Sequence, residues 1–179
     1  VTEVQTCALP ISSAGSGSGN HLSHEMLRFM AGINMVHVPY KGAAEQVTAL
    51  ISNEVQVSAI QVQVALTQAR AGRIRALAMT SAQRIAVAPE IPTVAEAGVP
   101  GYEATSWQGV VVPSGTSRAI IERLYVEIAK GLKSPDIAER LNAEGTVAGG
   151  ITPDAFAGFI KSEIGKWAKV VKMSGARAD

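Results

Sequence analysis

The sequence predicts an α/β fold with a mainly parallel sheet, on three observations. Short β-prone runs alternate with helical stretches of about ten residues. Glycine, proline or a capping residue marks each change of period. One run, residues 74–79, is nearly continuously apolar, the pattern of a strand covered on both faces. Strands separated by helices of that length imply βαβ crossovers.

Residues 1–12 show neither period, hold the only cysteine (Cys7) and precede the first basic residue, Arg28. They lack the basic and apolar regions of an export signal and read as a non-native or disordered leader. Residues 13–20 form a glycine and serine loop. From His21 the apolar positions Leu22, Met26, Leu27, Phe29 and Met30 fit one helix face, with Asn20 as N-cap. Residues 35–38 are short and β-prone, and Pro39 stops them. Residues 43–51 read as a helix with Val47, Leu50 and Ile51 on its stripe. Residues 55–60 alternate as a strand, and residues 62–71 form a helix closed by Gly72 at C′. After the apolar run comes a proline- and glycine-rich connection over 84–101, then an expected extended strand over 102–112 that contains Trp107. Three helices follow, near 116–132, 134–143 and 153–173, with Ser134 and Thr152 capping the last two. The chain thus divides into an α/β part, residues 13–105, and a helical tail, residues 106–179, with no sheet of its own. In that tail Ile120, Leu124 and Ile128 are expected to be exposed.

Composition narrows the function. The chain has 179 residues, room for one domain or two small lobes, and 16 basic against 15 acidic residues leave a net charge of +1. That balance gives no electrostatic reason for a nucleic-acid partner or an anionic membrane. An aromatic content of 4% argues against a platform for stacking bases. A single cysteine excludes an internal disulfide and any multi-cysteine zinc site.

Four features carry candidate chemistry. The loop Ser16, Gly17, Ser18, Gly19 and Asn20, opening a helix, offers backbone amides and hydroxyls to a carboxylate or phosphate. It is neither a P-loop nor a complete dinucleotide fingerprint, since no Gly-Lys follows and no strand is evident before it. Read alone it is a flexible linker or an anion site. His21, His24 and Glu25 share about one helical turn; His21 with Glu25 has metal-compatible spacing, but no third ligand is evident. A serine hydrolase would need Ser16 or Ser18 with a histidine base, and no Gly-x-Ser-x-Gly elbow follows a convincing strand. Tyr40, Lys41 and Gly42 close one strand and Gln61 ends the next, where ligands collect in open α/β sheets. A tight turn with a solvated lysine is the plainer reading of the first.

The string His37-Val-Pro-Tyr-Lys-Gly42, with Asn20-His-Leu and Glu25 before it, resembles the tripartite tricarboxylate transporter substrate-binding proteins, the Bug family of bacterial periplasmic receptors. Further matching strings are Gly72-Arg-Ile-Arg-Ala-Leu-Ala78, Pro89-Glu-Ile-Pro-Thr-Val-Ala-Glu-Ala-Gly98, Thr105-Ser-Trp107 and Glu163-Ile-Gly-Lys-Trp167. The resemblance implies a type II periplasmic-binding fold, here one α/β lobe with the C-terminal helices of a partly missing first lobe. It implies a receptor and not an enzyme, without cofactor or metal, that captures a small organic carboxylate for membrane permease subunits, the parent protein being periplasmic. Ligand contacts carried over by motif are Ser16, Gly17, Ser18, Gly19, Asn20, His21, Tyr40, Lys41, Gly42 and Gln61. Gln61 departs from the family, which often has an acidic residue near that place. The rival reading is a cytosolic small-molecule enzyme that uses the Gly/Ser loop to hold an anion.

Overall fold

The computed structural model describes residues 8–177. In chain order come strand β1 (Leu9–Ser13), helix α1 (Gly19–Ala31), β2 (Met35–Pro39), α2 (Ala43–Ile51), β3 (Val57–Ser58) and α3 (Val62–Arg70). Helices α4 (Arg118–Leu132), α5 (Pro135–Ala143) and α6 (Pro153–Ser174) follow a long connection. The sheet is parallel, in the order β2-β1-β3. Leu9 faces Met35 and Ser13 faces Pro39 across one side of β1, and Ile11 and Ser12 face Val57 and Ser58 across the other. Helices α1 and α2 lie on opposite faces. His21 of α1 stacks on His37, which is in register with Ile11. Gln46 of α2 reaches Ser58 Oγ, one position along.

The central strand is the largest departure from the sequence reading. Residues 9–12, read as part of a leader, form β1, and Ile11, Ser12 and Ser13 have no exposed surface. Residues 1–7 of that leader, with Cys7, lie outside the described residues. A proline normally argues against a central strand. Pro10 is tolerated because its carbonyl accepts from Gln56 N, so its absent N–H faces the side where β3 has not yet begun.

Two expected strands are not strands. In residues 74–79 only Met79 forms a bridge, to Thr93, and Leu77 is 54% exposed. In residues 102–112 Tyr102 and Ala104 are buried, but Val110 and Val111 stand in the open at 65% and 79% exposure. The shared reason is that β-propensity needs a neighbouring ladder, and β3 keeps only two residues of the expected six-residue run 55–60. Helices were more legible: α2 matches its expected bounds, and α3 ends one residue early, with Gly72 in the left-handed region at φ +68. On α2 the buried positions are Gln46 and Ala49, whereas Ile51 is exposed. The N-cap of α1 is Ser18, whose Oγ accepts from His21 N, and not Asn20. Thr152 caps α6 through Ala155 N, whereas Ser134 occupies its cap position without a side-chain cap bond.

The tail does not stand apart from the sheet. Helix α6 returns to α1, where Val170 joins Met26, Tyr102 and Ala104 in one buried cluster ringed by Leu22, Leu27 and Trp167. Tyr102 donates its buried hydroxyl to the Ser23 carbonyl at 3.1 Å, tying the long connection to α1. A second cluster, Met79, Ile85 and Ala88, packs against Val62 and Leu66 of α3. Along α4, Ile120, Leu124 and Ile128 are exposed, as their stripe predicts.

Candidate functional site

Parallel strands put all three following loops at one edge of the sheet. The segment 14–18 leaves β1, Tyr40-Lys41-Gly42 leaves β2, and Ala59-Ile60-Gln61 leaves β3. In a 2-1-3 order the crossovers diverge between β1 and β3, which makes that the switch point of the sheet. Asn20 lies across it, donating from Nδ2 to the Ala59 carbonyl and to Gln46 Oε1. The glycine loop therefore does follow a strand. Its third fingerprint position is still Asn20, so no dinucleotide motif results.

Within that loop some groups are committed and others free. Gly15 N donates to Ser13 Oγ, Ser18 N to the Gly15 carbonyl, and Gly17 N to His21 Nδ1 at 3.1 Å. The turn requires glycine at Gly15 (φ +131) and Gly17 (φ +74), where a side chain would be strained. Among the described residues the amides of Ser16, Gly19 and Asn20 have no protein acceptor. Two of them belong to the first turn of α1, where the helix dipole adds positive potential. Lys41 is exposed, and its ammonium forms no ion pair among the described residues, although its backbone N–H donates to Glu45 Oε2. Gln61 stands exposed at the N-cap of α3 without a side-chain cap bond. Tyr40 differs: its hydroxyl donates to Glu54 Oε1 at 2.8 Å, and partial desolvation with that carboxylate holds the phenol above its ordinary range. Gly42 contributes as the N-cap of α2.

Under the loop sit all three histidines. The His21 and His37 rings stack with centroids 3.7 Å apart and planes 9° from parallel. His37 Nε2 and Ser13 Oγ share a hydrogen bond. His24 is buried, and its Nδ1 has no well-formed hydrogen bond. Burial lowers all three below the ordinary imidazole range, helped by repulsion from neighbouring histidines at His24 and His37; Glu25 partly offsets this at His21 and His37. At neutral pH the cluster is uncharged. Glu25 is 4.0 Å from His21 Nε2 but is held by Arg28 at 2.7 Å. No group of three or more His, Cys, Asp or Glu is placed to hold a metal ion among the described residues.

Sequence reasoning missed Gln46. Fully buried, it donates from Nε2 to the Ser12 carbonyl, Ser58 Oγ and the Ala59 carbonyl, and its Oε1 accepts from Asn20. It thus joins β1, β3 and α1 directly beneath the free amides. A glutamine beside the apolar stripe of α2 was the one available signal. We expect Gln46→Leu to lower stability by about 2 kcal/mol in urea unfolding, because several buried groups lose their partner while volume is kept. An unchanged midpoint would count against this role.

Trp107, placed by the sequence on an expected strand, is 42% exposed and packs edge-on to Phe156 and Phe159 of α6. With Gly19, Leu22, Thr105, Ser106 and Trp167 it lines a shallow depression of about 270 Å³ beside the start of α1. Glu163 accepts from Trp167 Nε1 at 2.9 Å. Burial would raise its pKa, but hydrogen bonds from Lys166, Trp167 and Trp107 outweigh that and hold it low.

The model of the tripartite tricarboxylate transporter family receptor matches residues 3–176. A protein from the tcbD–tcbE intergenic region of Pseudomonas sp. (strain P51) is 38% identical over 164 residues, 91% of this chain and 49% of that protein. BugT of Bordetella pertussis is 36% identical over 161 residues, 90% of this chain and 49% of its own length. Among solved structures, R. palustris Rpa4515 with adipate superimposes with a TM-score of 0.80 at 36% identity, over 94% of this chain and 56% of that one. The periplasmic binding protein BugD gives 0.76 at 29% identity, over 96% and 58%. The chain spans about half the length of the curated relatives it matches. These likenesses bear out the periplasmic-binding fold and place the chain among receptors, leaving the enzyme alternative without support. By the match over residues 3–176, the chain belongs to the tripartite tricarboxylate transporter receptor family.

Proposed function

We infer that this chain forms the carboxylate-holding half of a periplasmic solute receptor, which delivers a small organic carboxylate to the permease subunits of a tripartite tricarboxylate-type transporter. One observation carries the reading: the unpaired Ser16, Gly19 and Asn20 amides, the unpaired Lys41 ammonium and the Gln61 amide stand on the three loops at one edge of a parallel sheet. Such a set suits an acceptor-only, planar anion held by amides and one point charge. Gly17 and Ser18 shape the loop, and Tyr40 and Gly42 frame the turn that carries Lys41. We assign residues 9–105, with β1 now included, to the ligand-binding lobe, and residues 106–179 to a crossing segment and helices that cover a first lobe supplied by the rest of the parent. The adipate bound to the Rpa4515 protein supports the ligand class. A hydrolase version of the rival would use Ser16 or Ser18 with a histidine base, but among the described residues neither hydroxyl bonds a histidine ring, His21 Nδ1 is occupied by Gly17, and the serine that does meet one, Ser13 on His37, has no exposed surface.

Titrating the isotope-labelled chain with adipate tests this. With half of a cleft, we expect a dissociation constant in the millimolar range and amide shifts confined to residues 15–20, 40–42 and 59–61. Lys41→Ala should weaken binding about fivefold, the worth of roughly 1 kcal/mol for an exposed charge-assisted contact. Shifts spread over α4–α6, or none with any common dicarboxylate, would overturn the assignment.

A further inference from the structure

The glycine loop is latched by a base. Gly17 N–H donates to His21 Nδ1, so that nitrogen carries a lone pair and the ring proton sits on Nε2. The amide closest to the histidines is therefore spent inside the protein, on a group that can gain a proton. His21 is buried and stacked flat on His37, so it cannot leave the loop without breaking the stack. If Nδ1 takes a proton from solvent it becomes a donor. Gly17 then loses its acceptor, and an imidazolium stands beside a loop whose Gly17 amide has joined the free ones. Both changes favour an anion at the loop, and an anion there favours both changes.

We propose that His21 is a proton-taking ligand residue: a carboxylate accepts the Gly17 amide released from His21 Nδ1, one solvent proton enters His21, and capture is coupled to proton uptake. The proposal rests on the carboxylate reading above. The surroundings suit a reversible charge. On α1, Glu25 Oε1 lies 4.0 Å from His21 Nε2, Arg28 is held by Glu25, and His24 is buried and uncharged. From β2 comes His37, which opposes the charge, and from β1 only the neutral Ser13. The loop after β2 adds Lys41, which an arriving carboxylate would neutralise. Helix α2 lies across the sheet with the neutral Gln46, and α6 brings Glu163 and Lys166, paired with each other. In the unliganded protein desolvation outweighs the nearby Glu25 and keeps His21 neutral, so the proton arrives with the ligand.

Residue-resolved NMR of the 179-residue chain, from pH 5 to 8 with and without saturating adipate, tests the coupling. We expect adipate to raise the His21 titration midpoint by at least one pH unit, with the Gly17 amide moving at the same midpoint. The adipate dissociation constant should fall on acidification, with one proton setting a limit of about tenfold per pH unit. His21→Gln, which offers Gly17 an acceptor but takes no proton, should lose most of that pH dependence, whatever affinity it retains. Loop amides that shift with adipate while the His21 midpoint stays put would overturn the proposal and leave the carboxylate reading standing. No shift anywhere at any adipate concentration would remove both. Should His21→Gln fail to fold, the wild-type midpoints decide alone.

Discussion

Compared with a chain that begins at Ala8, one shortened to begin at Ser13 is expected to lose its cooperative unfolding transition. Strand β1 is the only neighbour of both β2 and β3 in the described sheet, so removing residues 9–12 leaves two strands that do not touch. Ile11 is fully buried, and losing its side chain by itself costs about 2–5 kcal/mol by large-to-small precedent. Bonds to the lost segment go with it: Leu9 N to the Asn34 carbonyl, Gln56 N to the Pro10 carbonyl, Gln46 to the Ser12 carbonyl, and the ladder itself. At about 1 kcal/mol each, these add several more. The sum reaches the whole stability of an ordinary domain, about 5–15 kcal/mol. Circular dichroism through a urea titration checks it. A sharp transition at an unshifted midpoint in the Ser13 chain would show that residues 9–12 are dispensable after all.

That strand was illegible for physical reasons that the helices did not share. Helix bounds are written locally: Ala43 to Ile51 follows a glycine, and α6 opens on Thr152-Pro153 and closes on Gly175. The five residues of β1 have no alternation, contain Pro10 and end in two serines. Those serines are buried only because α1 and α2 arrive from elsewhere in the chain. The opposite error, at residues 102–112, has the same root, since β-branched residues read as a strand whether or not a ladder exists to receive them. The site was legible in part. Gly15, Gly17 and the Lys41 turn announced a special backbone and an exposed cation, but nothing local said that the three loops share an edge, because that follows from strand order. Nor could spacing show that Gly17 is latched by His21, or that Gln46 lies beneath the amides; both depend on partners tens of residues apart or on a turn whose φ angles only the fold fixes.

Acid should unfold this protein early, with His24 responsible for the largest single share. It is 3% exposed, and burial, then the nearby His37 and His21, push it down to about 4 from 6.5. A lowered pKa means that the unfolded chain binds the proton first. The stability is whole above about pH 6.5 and drains away as the pH falls toward 4, accumulating to about 3 kcal/mol. His21 and His37 shift in the same direction and add to the slope, so removing His24 flattens the acid limb without abolishing it. His24→Leu is the informative variant. His24 Nδ1 has no well-formed hydrogen bond, only the Asn20 backbone near it, so an apolar side chain of similar bulk forfeits little at pH 7.5 and spares the buried nitrogen its desolvation. Urea midpoints at pH 7.5 should therefore differ little between His24→Leu and the parent, whereas at pH 4.5 the variant should be the more stable by a large part of those 3 kcal/mol. Equal losses in both proteins between the two pH values would mean that His24 is protonated within the native state, and that the cluster beneath the glycine loop opens to solvent before the sheet does.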